Sequence, residues 1–111
     1  MDIVGQKKNL PGKIWEVDLQ GRSEFRIIRI FSEDNEDISN CSLIIKYLST
    51  ANGDKEVEIV IPFHDRMMDG HNKAEVNLYE GFTDLVSLSL TLKIDNQDIG
   101  RSVIIHYQLN N

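Results

Sequence analysis

This sequence predicts an all-β fold: one domain, built as an antiparallel β-sandwich of six to eight strands. Two observations carry that reading. Residues 85–95 run Leu-Val-Ser-Leu-Ser-Leu-Thr-Leu-Lys-Ile-Asp, with Val86, Leu88, Leu90, Leu92 and Ile94 on one parity and Ser87, Ser89, Thr91, Lys93 and Asp95 on the other. Side chains alternate between faces only in a strand, so this is a strand with one dry and one wet face. Shorter alternating runs then recur along the chain, separated by Gly, Asn, Asp and Pro. That spacing is typical of a two-sheet fold. At 111 residues the chain is of one-domain size. A chain of this length buries roughly two-thirds of its unfolded surface and needs no covalent staple.

The elements follow in order. Residues 1–12 are expected to be a flexible lead-in ending at Pro11-Gly12, with the sandwich domain over 13–111. Trp15, Val17 and Leu19 alternate with Glu16 and Asp18 in a first strand. In the next strand, about 24–31, Phe25 and Ile27 share one parity while Ile28 and Ile30 share the other. Either both faces are covered, or a bulge shifts the phase at Ile27-Ile28 and brings Arg26 and Arg29 to one face. Residues 41–48 are two-sided. Leu43, Ile45 and Tyr47 make a strand face, while Ile38, Cys41, Ile45 and Leu48 stand at helical spacing. The weak helix formers there favour the strand; the alternative is an α+β fold with one helix near 35–50. Asn52-Gly53 suits a type I′ hairpin turn into the next strand.

Val57, Ile59, Ile61 and Phe63 form that strand's inward face, and Pro62 marks a strand end or a sheet edge. Val76 and Leu78 mark a short strand. Val103, Ile105, Tyr107 and Leu109 mark the last. The two long connections, 32–40 and 64–73, are the expected crossovers between sheets. An immunoglobulin-like or a jelly-roll-like sandwich accommodates this set.

Composition narrows the function classes. Net charge is −6. Residues 1–13 hold three lysines and one aspartate, net +2, and the rest holds nine cations against seventeen carboxylates, net −8. That field repels a phosphate backbone, so direct nucleic-acid binding is disfavoured and a basic protein partner or a cation is favoured. Cys41 is the sole cysteine, which excludes an internal disulfide and a cysteine-based zinc site. Its apolar neighbours suggest a buried thiol and a reducing compartment. No apolar run is long enough for a membrane span, and residues 1–13 lack the apolar core of a secretory signal. The expected setting is cytoplasmic, or within a virion.

Two loops hold the candidate site residues. The stretch 32–40 carries Glu33, Asp34, Glu36 and Asp37 and no cation. Clustered carboxylates could take calcium, but the glycine and terminal glutamate of an EF-hand loop are missing. A solvated loop and a docking patch for a basic partner are the other readings. The stretch 64–71 carries His64, Asp65, Asp69 and His71, which could hold zinc or a similar ion. The two histidines lack the i, i+4 spacing of helical zinc sites, and Arg66 adds an opposing charge. Met67 and Met68 lie between them; thioethers adapt to partner surfaces and also pack over core ends.

No nucleophile elbow, phosphate-cradling glycine loop or cofactor motif is present. The expected function is therefore a non-enzymatic protein–protein interaction module: an inhibitor, an adaptor or a subunit of an assembly such as a virion. It requires no cofactor and is open to homo-oligomer formation. Glu33, Asp34, Glu36, Asp37, Met67 and Met68 are the expected partner-binding residues. The rival classes are a calcium-dependent membrane or glycan binder, and a small metal-dependent hydrolase using His64, Asp65, Asp69 and His71.

Overall fold

The structure, a computed structural model, describes residues 2–53, 55–68, 74–78, 81–94 and 102–111. Its strands are β1 (Ile3–Asn9), β2 (Ile14–Glu16), β3 (Glu24–Ser32), β4 (Cys41–Ser49), β5 (Glu56–Pro62), β6 (Met67–Met68), β7 (Glu75–Val76), β8 (Gly81–Phe82), β9 (Leu85–Ile94) and β10 (Val103–Asn110). Among the described residues, helical turns occur only as 3₁₀ turns at Thr50–Asn52 and His64–Arg66, and no helix is long and apolar enough to cross a membrane. One sheet has the order β1-β10-β3-β7-β6, with β8 also on β3; the other has the order β2-β9-β4-β5. All named strand pairs are antiparallel.

Among the named strands the chain passes from one sheet to the other at six of nine connections, β4 to β5 being the main hairpin. That is the jelly-roll arrangement, the second of the two sandwich types expected. Residues 33–40 carry the chain from β3 to β4, and 63–66 carry it from β5 to β6, so both expected crossover segments do change sheets.

Alternation puts one face of each long strand between the sheets. Phe25, Ile27 and Ile30 of β3, Leu43 and Ile45 of β4, Leu88, Leu90 and Leu92 of β9, and Val103, Ile105 and Leu109 of β10 are all buried. Each such side chain contributes about 1.5–3 kcal/mol by leaving water. Residues 41–49 are a strand, paired on one side with β5 and on the other with β9. Cys41 and Ile45 of the helical-spacing set are buried all the same, and Ile38 is buried from the loop that leads into β4.

Two bulges explain the irregular parities. His106 faces Arg29 but Tyr107 faces Ile27, which leaves Ile28 unpaired and exposed on β3. This is the phase shift anticipated at Ile27-Ile28, and both Arg26 and Arg29 are exposed. The second bulge was not anticipated. Leu48 faces Ser87 while Ser49 faces Leu85, so Val86 is the extra residue. Leu85 is buried and Val86 is 55% exposed, the reverse of the regular alternation. The cause lies in the neighbouring turn. Ser49 Oγ donates to the Thr83 carbonyl at 3.0 Å, and the Thr50 N–H donates to the Asp84 carbonyl at 2.9 Å, pinning the start of β9 one residue out of phase. Val86→Ser is therefore expected to change stability by less than about 0.5 kcal/mol in denaturant melts, as a surface substitution does. A loss above about 1.5 kcal/mol would restore Val86 to the core.

Two further expectations need correction. Residues 3–9 are not a lead-in but an edge strand, β1, paired with β10 from Ile3–Leu109 to Asn9–Val103. Gly5 lies under the Tyr107 ring, where a Cβ would stand 2.6 Å from the phenol oxygen. Asn9 is buried and ties the strand's end to the other sheet, accepting from the Leu92 N–H at 3.0 Å and donating to the Lys13 carbonyl at 3.3 Å. The β4–β5 hairpin is closed not by a two-residue type I′ turn but by the 3₁₀ turn at Thr50–Asn52. Ser49 Oγ caps it at 3.2 Å from the Ala51 N–H, and Gly53 leaves it at a φ of 68°. Pro62, as expected, is the last residue of an edge strand.

Candidate interaction surface

The sequence from Ser32 to Cys41 builds a tied-down loop. Ser32 is buried at the end of β3, and its Oγ accepts from the Asp34 N–H at 3.2 Å and the Glu36 N–H at 2.9 Å. Asp37 Oδ1 accepts from the Ser39 N–H at 2.8 Å. Ile38 plugs the core, so Asp34, Glu36 and Asp37 ride on an anchored frame, and all three are exposed. Glu33 differs from its neighbours. Its carboxylate meets the Lys8 ammonium at 2.9 Å and accepts from Ser102 Oγ at 3.2 Å. The Lys8 hydrogen bond holds the Glu33 carboxyl below its ordinary range, partly offset by desolvation and helped by Ser102. The loop therefore lacks a cation in sequence but has one in space, brought by the edge strand that the sequence pattern did not reveal.

The second candidate segment starts from the end of β5. His64 Nε2 stands 2.9 Å from Asp65 Oδ1, with both side chains mostly exposed on the 3₁₀ turn. Met67 is half-buried against the core, whereas Met68 is 41% exposed and its sulfur accepts from Asn77 Nδ2 at 3.1 Å. Met67 thus packs over the end of the core, and Met68 is left at the surface. Asp69 and His71 lie outside the described residues. Among the described residues no group of three or more His, Cys, Asp or Glu side chains is placed to share a metal ion.

Strand register brings the two segments to one end of the sandwich. The Phe63 N–H donates to the Cys41 carbonyl at 3.0 Å, and the Ser32 N–H donates to the Ala74 carbonyl at 2.7 Å. The carboxylates of 33–37 and the turn at 64–66 thus leave the same rim of the two sheets, although 26 residues or more of chain, including the whole β4–β5 hairpin, lie between them. Neither loop's own residues could have shown this, because it follows from the pairing of β4 with β5.

Two other surfaces stand out, the first on the wet face of the long strand that Ser87, Ser89, Thr91 and Lys93 mark in sequence. On the outer face of the β2-β9-β4-β5 sheet, Ile14, Thr91, Ile44 and Val60 form one cross-strand row over all four strands. Beside it lies an open hollow of about 570 Å³, floored by Ser87 and Ser89 and rimmed by Glu16, Asp18, Lys46 and Glu56. On the outer face of the other sheet a hollow of about 370 Å³ lies among Arg29, Phe31, Asn35, Glu75 and His106. There Arg29 is paired with Glu75 at 2.8 Å, and His106 stands edge-on to Phe31 at 5.0 Å. The alternating parities held the signal for the row, but only knowledge of strand order aligns the four residues.

No family model matches the chain, and no curated protein matches it. Among solved structures it is similar to the Drosophila NLP-core, a structure reported to give insight into pentamer formation and histone binding. The two are 13% identical over 100% of this chain and 98% of that one, with a TM-score of 0.52. A looser likeness links it to the VP2 subviral particle of infectious bursal disease virus: 8% identity over 97% of this chain and 32% of that one, with a TM-score of 0.34. The first shows a shared sandwich fold; the second is too loose to carry an argument.

Proposed function

We propose that this chain is a non-enzymatic interaction module that binds a basic protein partner through the end of the sandwich carrying residues 33–37 and 64–68. It acts as an inhibitor, an adaptor or a subunit of an assembly, in a cytoplasmic or virion setting. The observation that carries the reading is the convergence of the two segments at one rim. Anchored carboxylates supply long-range attraction there, and Met68 supplies apolar contact area nearby. Binding residues are commonly set on loops held by a rigid scaffold. The shared fold with a core reported for histone binding and pentamer formation makes basic proteins and self-assembly the first properties to test. The calcium and hydrolase readings have less support. Glu33 is already engaged by Lys8 and Ser102, and His64 pairs with Asp65 beside Arg66 on an exposed turn.

Core histones serve as a basic probe. Wild-type chain is expected to bind them in calorimetric titration. The variant Glu33→Gln/Asp34→Asn/Glu36→Gln/Asp37→Asn is expected to bind at least about tenfold more weakly at low salt, since several exposed charge pairs of about 0.2–1 kcal/mol are lost together. Equal affinity in the two proteins would reduce the loop to a connector.

A further inference from the structure

We propose that copies of this chain join head to tail, with the β1 edge of one copy seated on the β5 edge of the next. This rests on the assembly part of the reading above and names the surfaces that would carry it. Sheet order places β1 and β2 at one lateral side of the sandwich, joined by the short link 10–13. It places β5 and β6 at the opposite side, joined by 63–66. Among the described residues β1 pairs with β10 alone and β5 with β4 alone, so each presents an open row of backbone N–H and C=O groups. Both strands are seven residues long.

Their charges are opposite. β1 carries Lys7 and Lys8 and no carboxylate; β5 carries Glu56 and Glu58 and no cation. All four side chains are exposed, although Lys8 already meets Glu33 at 2.9 Å and Glu58 stands 4.0 Å from Lys46, so Lys7 and Glu56 carry the charge contrast most directly. Lys13 adds a positive charge beside β1, where a cleft of about 350 Å³ is lined by Lys7, Lys8 and Lys13 with one carboxylate, Glu16, so it stays net basic.

Exposed apolar residues gather on the same two sides. Val4 is 66% exposed, Leu10 43% and Ile14 67% on the basic side; Val60 is 56% and Met68 41% exposed on the acidic side. Of the large apolar side chains exposed among the described residues, these are all except the bulge residues Ile28 and Val86.

An open edge strand is a template for pairing with another chain, and like charges on it block pairing with its own kind. β1 against β1 would bring two lysine-bearing strands together, and β5 against β5 two glutamate-bearing strands. β1 against β5 brings lysines beside glutamates, with apolar residues on both partners. Each copy carries one of each, on opposite sides, so the contact is heterologous. It propagates from copy to copy and closes into a ring or grows as a filament.

Sedimentation velocity tests this. Wild-type chain at about 0.05 M salt should run as a multimer and fall toward monomer by about 0.5 M salt, where charges a few ångströms apart are screened. Lys7→Glu/Lys8→Glu alone should be monomeric, and so should Glu56→Lys/Glu58→Lys alone. An equimolar mixture of the two should associate, because each reversed edge then finds an opposite edge on the other variant. Circular dichroism reports whether each variant is folded. Should a reversed variant unfold, the neutral variants Lys7→Gln/Lys8→Gln and Glu56→Gln/Glu58→Gln decide the matter, with self-association about tenfold weaker expected for each. A wild-type chain that stays monomeric, variants that assemble like wild type, or a folded mixture that stays monomeric would each overturn the proposal. A monomeric chain that still binds histones through residues 33–37 would overturn this contact alone and leave the partner-binding reading intact.

Discussion

Phe25→Ala is expected to lower the unfolding free energy by about 3–5 kcal/mol, the range for removing a buried aromatic ring. Phe25 is 1% exposed at the start of β3. Its ring lies 5.8 Å from that of Tyr107 and 6.2 Å from that of Trp15, and Trp15 lies 5.1 Å from Tyr107. Trp15 belongs to one sheet, and Phe25 and Tyr107 to the other, so the cluster joins the two layers. Tyr107 in turn covers Gly5, so loss of Phe25 also loosens the seat of β1. Small domains have only about 5–15 kcal/mol of net stability, so the change should be plain in a urea melt. A loss under about 1 kcal/mol would mean that the aromatic cluster does not join the sheets.

Leu90→Ala is expected to cost about 2–5 kcal/mol, against less than about 0.5 kcal/mol for the adjacent Ser89→Ala. Leu90 is fully buried and lies opposite both Trp15 of β2 and Ile45 of β4. Ser89 points the other way, on the floor of the outer hollow. The contrast between neighbours matters more than either value. Equal effects at the two positions would contradict the placement of β9 in the centre of its sheet.

How much of this was legible in the sequence depended on whether a strand's signal lies within the strand. From Leu88 to Ile94 the alternation of β9 is self-contained, and burial follows it. The start of the same strand was misread because its phase is set from outside, by Ser49 and Thr50 bonding to residues 83 and 84. β1 was illegible for a different reason. Gly5, Gln6, Lys7, Lys8 and Asn9 have neither strand propensity nor alternating hydrophobicity. The strand is held by its partner β10, by the Tyr107 ring and by the buried Asn9 amide. For the candidate surface, the residue types in 33–37 and 64–68 were readable. Their place at one rim was implied by the hairpin expected at Asn52-Gly53, which sets the start of β4 beside the end of β5. The Lys8–Glu33 pair, 25 residues apart in sequence and 2.9 Å apart in space, was hidden because it depends on β1.

The central claim is that this fold works as a charged docking surface, and the association rate with a basic protein tests it most directly. The rate constant for histone binding, measured by stopped flow at several salt concentrations, should fall steeply with salt for the wild-type chain, because complementary charges steer encounter. For the variant with Glu33, Asp34, Glu36 and Asp37 neutralised it should be lower at low salt and nearly flat. Met68→Ala should leave that rate unchanged and speed dissociation, as loss of a short-range contact does. The same rate and the same salt slope in wild-type and neutralised chains would contradict the claim.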